Sequence, residues 1–431
     1  MRLSNAQALT DDAVSGPNRP GTGAAPQLWS ARSATPSGRR VLLVAPQPFY
    51  EDRGTPIAVR HVVEGLSQLG YPVDLLTYPV GTDIEVPGVR LIRTANPFRF
   101  KSVPVGLSLK KILLDIPLTV ELHARLSRGT YTCVHAVEEA AFPAVLLGRL
   151  YKVPVIYDMQ SSLPEQLVTG AGIPTTPIRH LLNQLEAWLL TRADFIASSA
   201  GLAARVRRLA PGARVREWHY PSGIAPAAPA DAERLRRRLA IPPDVQVVLY
   251  GGTFESYQGL PELIATIPAI RAEVPNATFV LVGADRANGL VSHAGAESLI
   301  ESGALRIVDR QPRAEMAAYL ALADVLVSPR AYGGNLPLKI FDYLAAGRPI
   351  VATDIPTHRT VLAEDRAVLV APGTDALARG ILTVLRDPGL GKRLAATGRR
   401  YAETHFGWTR FLDSLEALYT EVEQYANVAR K

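Results

Sequence analysis

A chain of 431 residues exceeds what one hydrophobic core usually organises, so two domains of roughly 200 residues each are expected. With 47% hydrophobic and 20% charged residues, the composition excludes a disordered or fibrous protein. The net charge of +7 suits anionic partners without choosing among them, and a single cysteine, Cys133, excludes an intrachain disulfide framework and fits a reducing compartment.

Residues 1–38 are rich in Gly, Pro, Ser, Ala and Thr without periodicity, which predicts a flexible leader. No apolar run approaches the roughly 20 residues needed to cross a bilayer, and Met1 to Arg40 lacks the apolar core of a secretory signal, so a cytoplasmic location is expected. From Arg40 the pattern changes. Val41 to Ala45 is a short continuous apolar run of the kind found in a strand buried on both faces. A loop from Pro46 to Pro56, a helix from Ile57 to Gly70 and a strand from Val73 to Tyr78 complete one βαβ unit. The alternation continues through Cys133 to Ala136, a helix from Glu138 to Tyr151, Pro154 to Tyr157, a helix from Ile178 to Thr191, and Phe195 to Ala197.

Between Pro221 and Asp244 the chain turns Pro-, Ala- and Arg-rich, and the stretch 225–244 is read as a linker between a first domain at 39–224 and a second at 245–405. The second half restarts with Val245 to Tyr250. It continues with a Gly251-Gly252 turn, a helix from Leu260 to Glu273, strands Thr278 to Val282 and Leu305 to Val308, and a helix from Arg313 to Ala323. Strand Val325 to Val327, helix Pro337 to Ala346, strand Pro349 to Thr353 and helices from Asp375 onward follow. Strands alternating with helices imply α/β architecture: two Rossmann-like, doubly wound parallel sheets, with ligands bound outside the carboxyl ends of the strands.

Such folds host many activities, so motifs must decide. No Gly-x-Gly-x-x-Gly follows the first strand and no Gly-x-x-x-x-Gly-Lys-Ser/Thr occurs, which removes the main support for dinucleotide oxidoreductases and P-loop NTPases. In their place stands the loop Pro48 to Pro56, which places Gly54 just before a helix. There, backbone N–H groups can meet phosphate, although taken alone the loop is better explained as an ordinary strand-to-helix turn. The most informative segment runs from Ser328 to Asp354. A Gly-rich loop, Gly333-Gly334-Asn335-Leu336-Pro337, leads into a helix bearing Lys339 and Asp342 and then into Gly347-Arg348-Pro349-Ile350-Val351-Ala352.

This segment resembles glycosyltransferase family 4, the retaining transferases of the GT-B fold, whose two Rossmann-like domains face each other across a cleft. Gly251 to Gly259 and Pro221-Ser222-Gly223-Ile224 stand where that family has its second-domain Gly-rich loop and its Pro-Asn-Gly-Val/Ile element, so the resemblance runs from about Arg40 to the C-terminal region. It implies a nucleotide-sugar donor held by Gly54, Thr55, Gly252, Thr253, Gln258, Arg330, Gly334, Asn335, Leu336, Pro337, Lys339 and Asp342, with Asp342 accepting ribose hydroxyls. It also implies transfer to a glycan or lipid-linked acceptor, as in cell-envelope or exopolysaccharide synthesis, and a C-terminal segment, 406–431, that packs back on the first domain. No metal, cofactor or nucleic acid is expected, and no Asp-x-Asp occurs.

The chain departs from the family at defined places. Gly334 stands where a glutamate would contact the donor sugar, Thr253 and Gln258 replace an arginine and a lysine, and Asp158 replaces a histidine. Arg330, Lys339 or a residue of the first domain is expected to compensate for the lost loop charges. Asp158 and Glu138 are the candidate catalytic groups, Glu138 and Glu139 orienting an acceptor or merely forming an acidic first helical turn. The departures keep open a noncatalytic nucleotide-sugar-binding or assembly protein, and an inverting transferase or epimerase is a further alternative. Finally, Arg99, Lys101, Lys110 and Lys111 interleave with Phe98, Phe100, Val103, Leu107, Leu109, Ile112 and Leu113. This reads as peripheral contact with an anionic membrane on its inner face, or equally as a core-facing helix with a solvated basic edge.

Overall fold

The computed structural model describes residues 39–51, 54–104, 108–164, 176–224, 227–284, 296–332 and 337–429. The leader and three of the expected donor-binding positions, Gly334, Asn335 and Leu336, lie outside the described residues. Two all-parallel sheets organise the chain. The first has seven strands in the order β3-β2-β1-β4-β5-β6-β7: β1 Val41–Ala45, β2 Val73–Thr77, β3 Val89–Arg93, β4 Cys133–Val137, β5 Val155–Met159, β6 Phe195–Ser198 and β7 Val215–Glu217. The second has six in the order β10-β9-β8-β11-β12-β13: β8 Gln246–Gly251, β9 Ala277–Ala284, β10 Leu305–Asp309, β11 Val325–Ser328, β12 Ile350–Thr353 and β13 Val368–Val370.

Each sheet reverses direction once, between β1 and β4 in the first and between β8 and β11 in the second. At such a switch point adjacent loops leave in opposite directions and open a crevice at the carboxyl ends of the strands. Every residue of β1, β2, β4 and β5 is buried, as strands covered by helices on both faces must be.

Local chemistry moved several boundaries. The expected helix over 260–273 is split into Leu260–Ala265 and Ile267–Glu273, because Pro268 has no N–H to donate four residues back. The stretch read as a linker carries the helix Pro229–Arg238, whose Leu235 is buried in the second-domain core and whose Arg238 donates to the Tyr319 hydroxyl at 3.1 Å. Proline at the helix start and alanines and arginines beyond it favour a helix over an open connection.

The last helix, Trp408–Ala429, lies on the first domain: Phe411, Leu415, Leu418, Tyr419 and Val422 join the core built around β1. A Cβ at Gly65 of helix Gly54–Gln68 would stand 2.8 Å from Leu415, so glycine there sets the close approach of the two helices. Trp408 Nε1 donates to Gln68 at 2.6 Å and Tyr425 to Asp194 at 2.9 Å.

Candidate active site

At the β8/β11 switch point two loops are pressed together. Gly259 has φ 71°, and a side chain there would overlap the Pro329 carbonyl; two positions earlier Tyr257 accepts the Ala331 N–H at 3.1 Å. Arg330, buried just after β11, stacks over the Tyr257 ring at 5.1 Å and donates to the Tyr332 carbonyl at 2.8 Å. Below it, His358 Nδ1 donates to the Thr353 carbonyl at 2.7 Å, which leaves Nε2 to accept from Ser328 Oγ at 3.0 Å. Burial holds this imidazole at a pKa of about 4, the nearby Lys339 and Arg330 charges adding to the effect.

Helix Lys339–Ala346 begins at the same crevice, two residues later than the sequence predicts, after a tight turn in which Ile340 N–H meets the Pro337 carbonyl. Lys339 Nζ sits 4.0 Å from the centre of the Tyr250 ring and donates to Gln258 Oε1 at 2.9 Å. Among the described residues it has no carboxylate partner. Burial first, and Arg330 second, push its ammonium well below the ordinary lysine range. Gly252, at φ 154°, keeps the space in front of it open, for a Cβ there would stand 2.9 Å from the Tyr250 hydroxyl and 3.4 Å from Lys339 Nζ. Two basic side chains thus meet at a strand-end crevice, and among the described residues Lys339 is held by a neutral amide and a ring. Thr253 contributes its carbonyl, which accepts from Tyr250 at 2.6 Å.

Asp342, one turn along the same helix, points elsewhere. Its carboxylate accepts from Ser222 Oγ at 2.8 Å, from Arg313 Nη2 at 3.1 and 3.3 Å, and from the Gly223 amide. It is 6% exposed, and its expected contact to ribose hydroxyls is not what these bonds serve. They clasp the segment that crosses between domains: a Cβ at Gly223 would stand 2.6 Å from Arg313 and 2.7 Å from His61 of helix Gly54–Gln68.

Across the cleft, the loop after β1 is tied to the loop after β2 by Tyr50 N–H to Thr82 at 2.8 Å and the reverse bond at 3.1 Å. Gly54 and Thr55 open a 15-residue helix at this edge, and Gly54 is exposed with open space around its Cα. Asp158, at the end of β5, is fully buried and already bonded to His135 Nε2 (3.3 Å), Gln160 Nε2 (2.7 Å) and the Tyr220 hydroxyl (3.4 Å). In the free protein its oxygens are thus taken up by neighbouring side chains, and His135 continues the chain to the Tyr419 hydroxyl at 2.8 Å on the C-terminal helix.

Glu138 directly follows the carboxyl end of β4, half-buried, in a left-handed conformation with φ 48° and accepting from Ser161 Oγ at 2.8 Å. Burial, reinforced by Glu139, raises its pKa to about 7, against the opposing pull of Lys111. Glu139 itself pairs with Lys111 at 2.6 Å. A carboxyl raised in the folded state is stabilising while protonated and loses that contribution as pH rises through its folded value. Glu138→Gln is therefore expected to melt a few degrees above wild type at about pH 8 and no higher at about pH 5, which thermal melts at the two pH values check.

With this geometry in hand, the relatives are informative. A model described as glycosyl transferases group 1 matches residues 245–387, and one described as a glycosyl transferase 4-like domain matches residues 53–217. The chain belongs to this family. It is a glycosyltransferase of the GT-B type. Glycogen synthase of Mycobacterium tuberculosis is 25% identical over 394 residues, covering 84% of this chain and 89% of its own. Phosphatidyl-myo-inositol mannosyltransferase of Mycolicibacterium smegmatis is 23% identical over 389 residues, covering 89% and 94%. Among solved structures, sucrose-phosphate synthase from Thermosynechococcus elongatus superposes with a TM-score of 0.72 at 23% identity, covering 89% of this chain and 99% of its own. Anabaena HepE in complex with UDP-glucose gives 0.66 at 14% identity, covering 89% and 99%.

Within this glycosyltransferase the structure brings together Gly252, Thr253, Gln258, Arg330 and Lys339 from the sequence-derived set. Pro337 lies at the start of the same turn, while Asp342 serves the domain crossing. Arg313, Tyr250 and Ser222 were not singled out from sequence for these roles. Tyr250 ends a strand as an ordinary core residue would, and Arg313 opens a helix with nothing local to mark its partner 29 positions away.

Proposed function

We propose that this glycosyltransferase moves a sugar from a nucleotide-diphosphate donor seated against Lys339 and Arg330 to a glycan or lipid-linked acceptor on the first-domain side. Transfer proceeds with retention and without a metal ion, in cell-envelope or exopolysaccharide synthesis at the cytoplasmic face of the membrane. The observation that carries the reading is the placement of Lys339 Nζ on Gln258, the residue occupying the family's lysine position. A cation lost from the loop has a counterpart reaching the same place from the helix, so the leaving diphosphate keeps its charge partner. Glu138, a carboxyl able to exchange a proton near neutrality, is suited to hold an acceptor hydroxyl. Among the described residues no helix is long and apolar enough to cross a membrane.

The test is a thermal-shift and hydrolysis screen against UDP-, GDP-, ADP- and TDP-sugars in chelator. Stabilisation by one donor with slow release of its nucleotide is expected. Stabilisation without any release or transfer would instead identify a binding protein, the outcome that Gly334 in place of the donor-contacting acid would favour.

A further inference from the structure

The first domain carries an apolar surface that the described chain leaves open. Helix Leu109–Arg128 has two apolar stripes on opposite sides. Leu114, Leu118, Leu122 and Leu126 recur every four residues and are buried in the core. Leu109, Ile112, Ile116 and Val120 recur at helical spacing on the other side and are 53 to 71% exposed. A helix with only a structural task needs the first stripe and not the second.

Neighbouring helices extend the surface. Ala141–Tyr151 packs against Leu109–Arg128, with Tyr151 and His123 bonded at 3.1 Å, and shows Leu146 and Leu150, 57% and 66% exposed. Thr176–Leu190 packs against that helix and shows Leu181 and Leu185. In front, Phe98 is 46% exposed and stacked on Phe100, over whose ring Lys110 Nζ sits at 5.6 Å.

The charges on the three helices decide what can cover this face. Lys110, Arg149 and Arg179 are exposed and have no carboxylate partner among the described residues, as is Lys152 just past the second helix. The carboxylates of the same helices are all engaged: Asp115 accepts from Tyr78, Glu121 from Arg125, and the buried Glu186 from Arg205 and the Leu163 amide. Aliphatic side chains fringed by unpaired cations, with no free anion, complement an anionic lipid interface. The surface differs from the stretch the sequence suggested, since Lys111 turns inward to Glu139 and Val103 is buried, while Leu107 lies outside the described residues.

We propose that this three-helix face rests on the anionic surface of a bilayer. The inference depends on the lipid-linked arm of the proposed function, and the molecule links the two: the Lys111–Glu139 pair fastens the start of the exposed helix beside Glu138. A membrane-anchored acceptor is thereby delivered at the edge of the crevice that holds that carboxyl.

Flotation of the full-length protein with phosphatidylglycerol/phosphatidylcholine vesicles tests it, alongside phosphatidylcholine vesicles alone and sedimentation of the free protein. Wild type floats with the anionic vesicles at low salt and stays behind with neutral ones. The double variant Ile116→Glu/Val120→Glu binds at least about tenfold more weakly, and Lys110→Ala about fivefold. Both variants keep the wild-type melting temperature and its shift by nucleotide donor. No flotation with anionic vesicles would overturn the proposal, as would a wild-type dimer that the double variant splits, since a second copy would then cover the face. The donor-induced shift, read on the same samples, reports separately on the transferase reading.

Discussion

Replacing Lys339 by methionine is expected to lower kcat/KM for the nucleotide sugar by about 10² to 10³ while leaving the melting temperature near wild type. Methionine keeps the apolar stem over the Tyr250 ring and removes only the ammonium, which binds Gln258 and, in the free protein, no carboxylate among the described residues. An isolated buried cation does not stabilise the fold, because burial already drives it toward neutrality. Its value appears when an anion arrives. Lys339→Arg should recover little, since a planar guanidinium does not fit the compact space between Gly252 and the Tyr250 ring. Steady-state kinetics at several donor concentrations check both variants.

The second large effect concerns stability. Arg313→Met leaves the Asp342 carboxyl buried with only Ser222 and Gly223 to meet it, at a cost of about 3 kcal/mol or more. Asp342 already lies above its ordinary range, burial being the main cause and Arg313 the main opposing influence. Without Arg313 it rises further. A carboxyl raised on folding contributes stability below its unfolded pKa and loses it as pH climbs through the folded value. The loss in Arg313→Met should therefore be larger at about pH 8 than at about pH 5, and Arg313→Met/Asp342→Asn should be more stable than Arg313→Met alone. Urea unfolding at the two pH values measures it.

The repeated strands were legible because burial on both faces forces continuous apolar runs: Val41 to Ala45 reads from sequence as it stands in the sheet. The Ser328 to Asp354 segment was legible as chemistry because a strand end, a helix start and the residues between them are local. Helix Leu109–Arg128 was harder to read, since apolar residues on both sides and Pro117 within blur any single stripe. The pairings that shape the site are long-range. Gln258 meets Lys339 across 81 positions, Ser222 meets Asp342 across 120, and His135 meets Tyr419 across 284. Nothing in either local sequence names the partner, so the bonds that hold Asp342 and Asp158 in the free protein were not legible.

Calorimetric titration of the nucleoside diphosphate selected by the donor screen, at about pH 9 in two buffers of different ionisation enthalpy, tests most directly whether Lys339 holds the diphosphate. A lysine held below its ordinary range regains its proton when a dianion settles beside it, so binding should take up protons in wild type, and Lys339→Met should lose both the uptake and most of the affinity. Tight binding without proton uptake, unchanged in Lys339→Met, would place the diphosphate elsewhere and contradict the account.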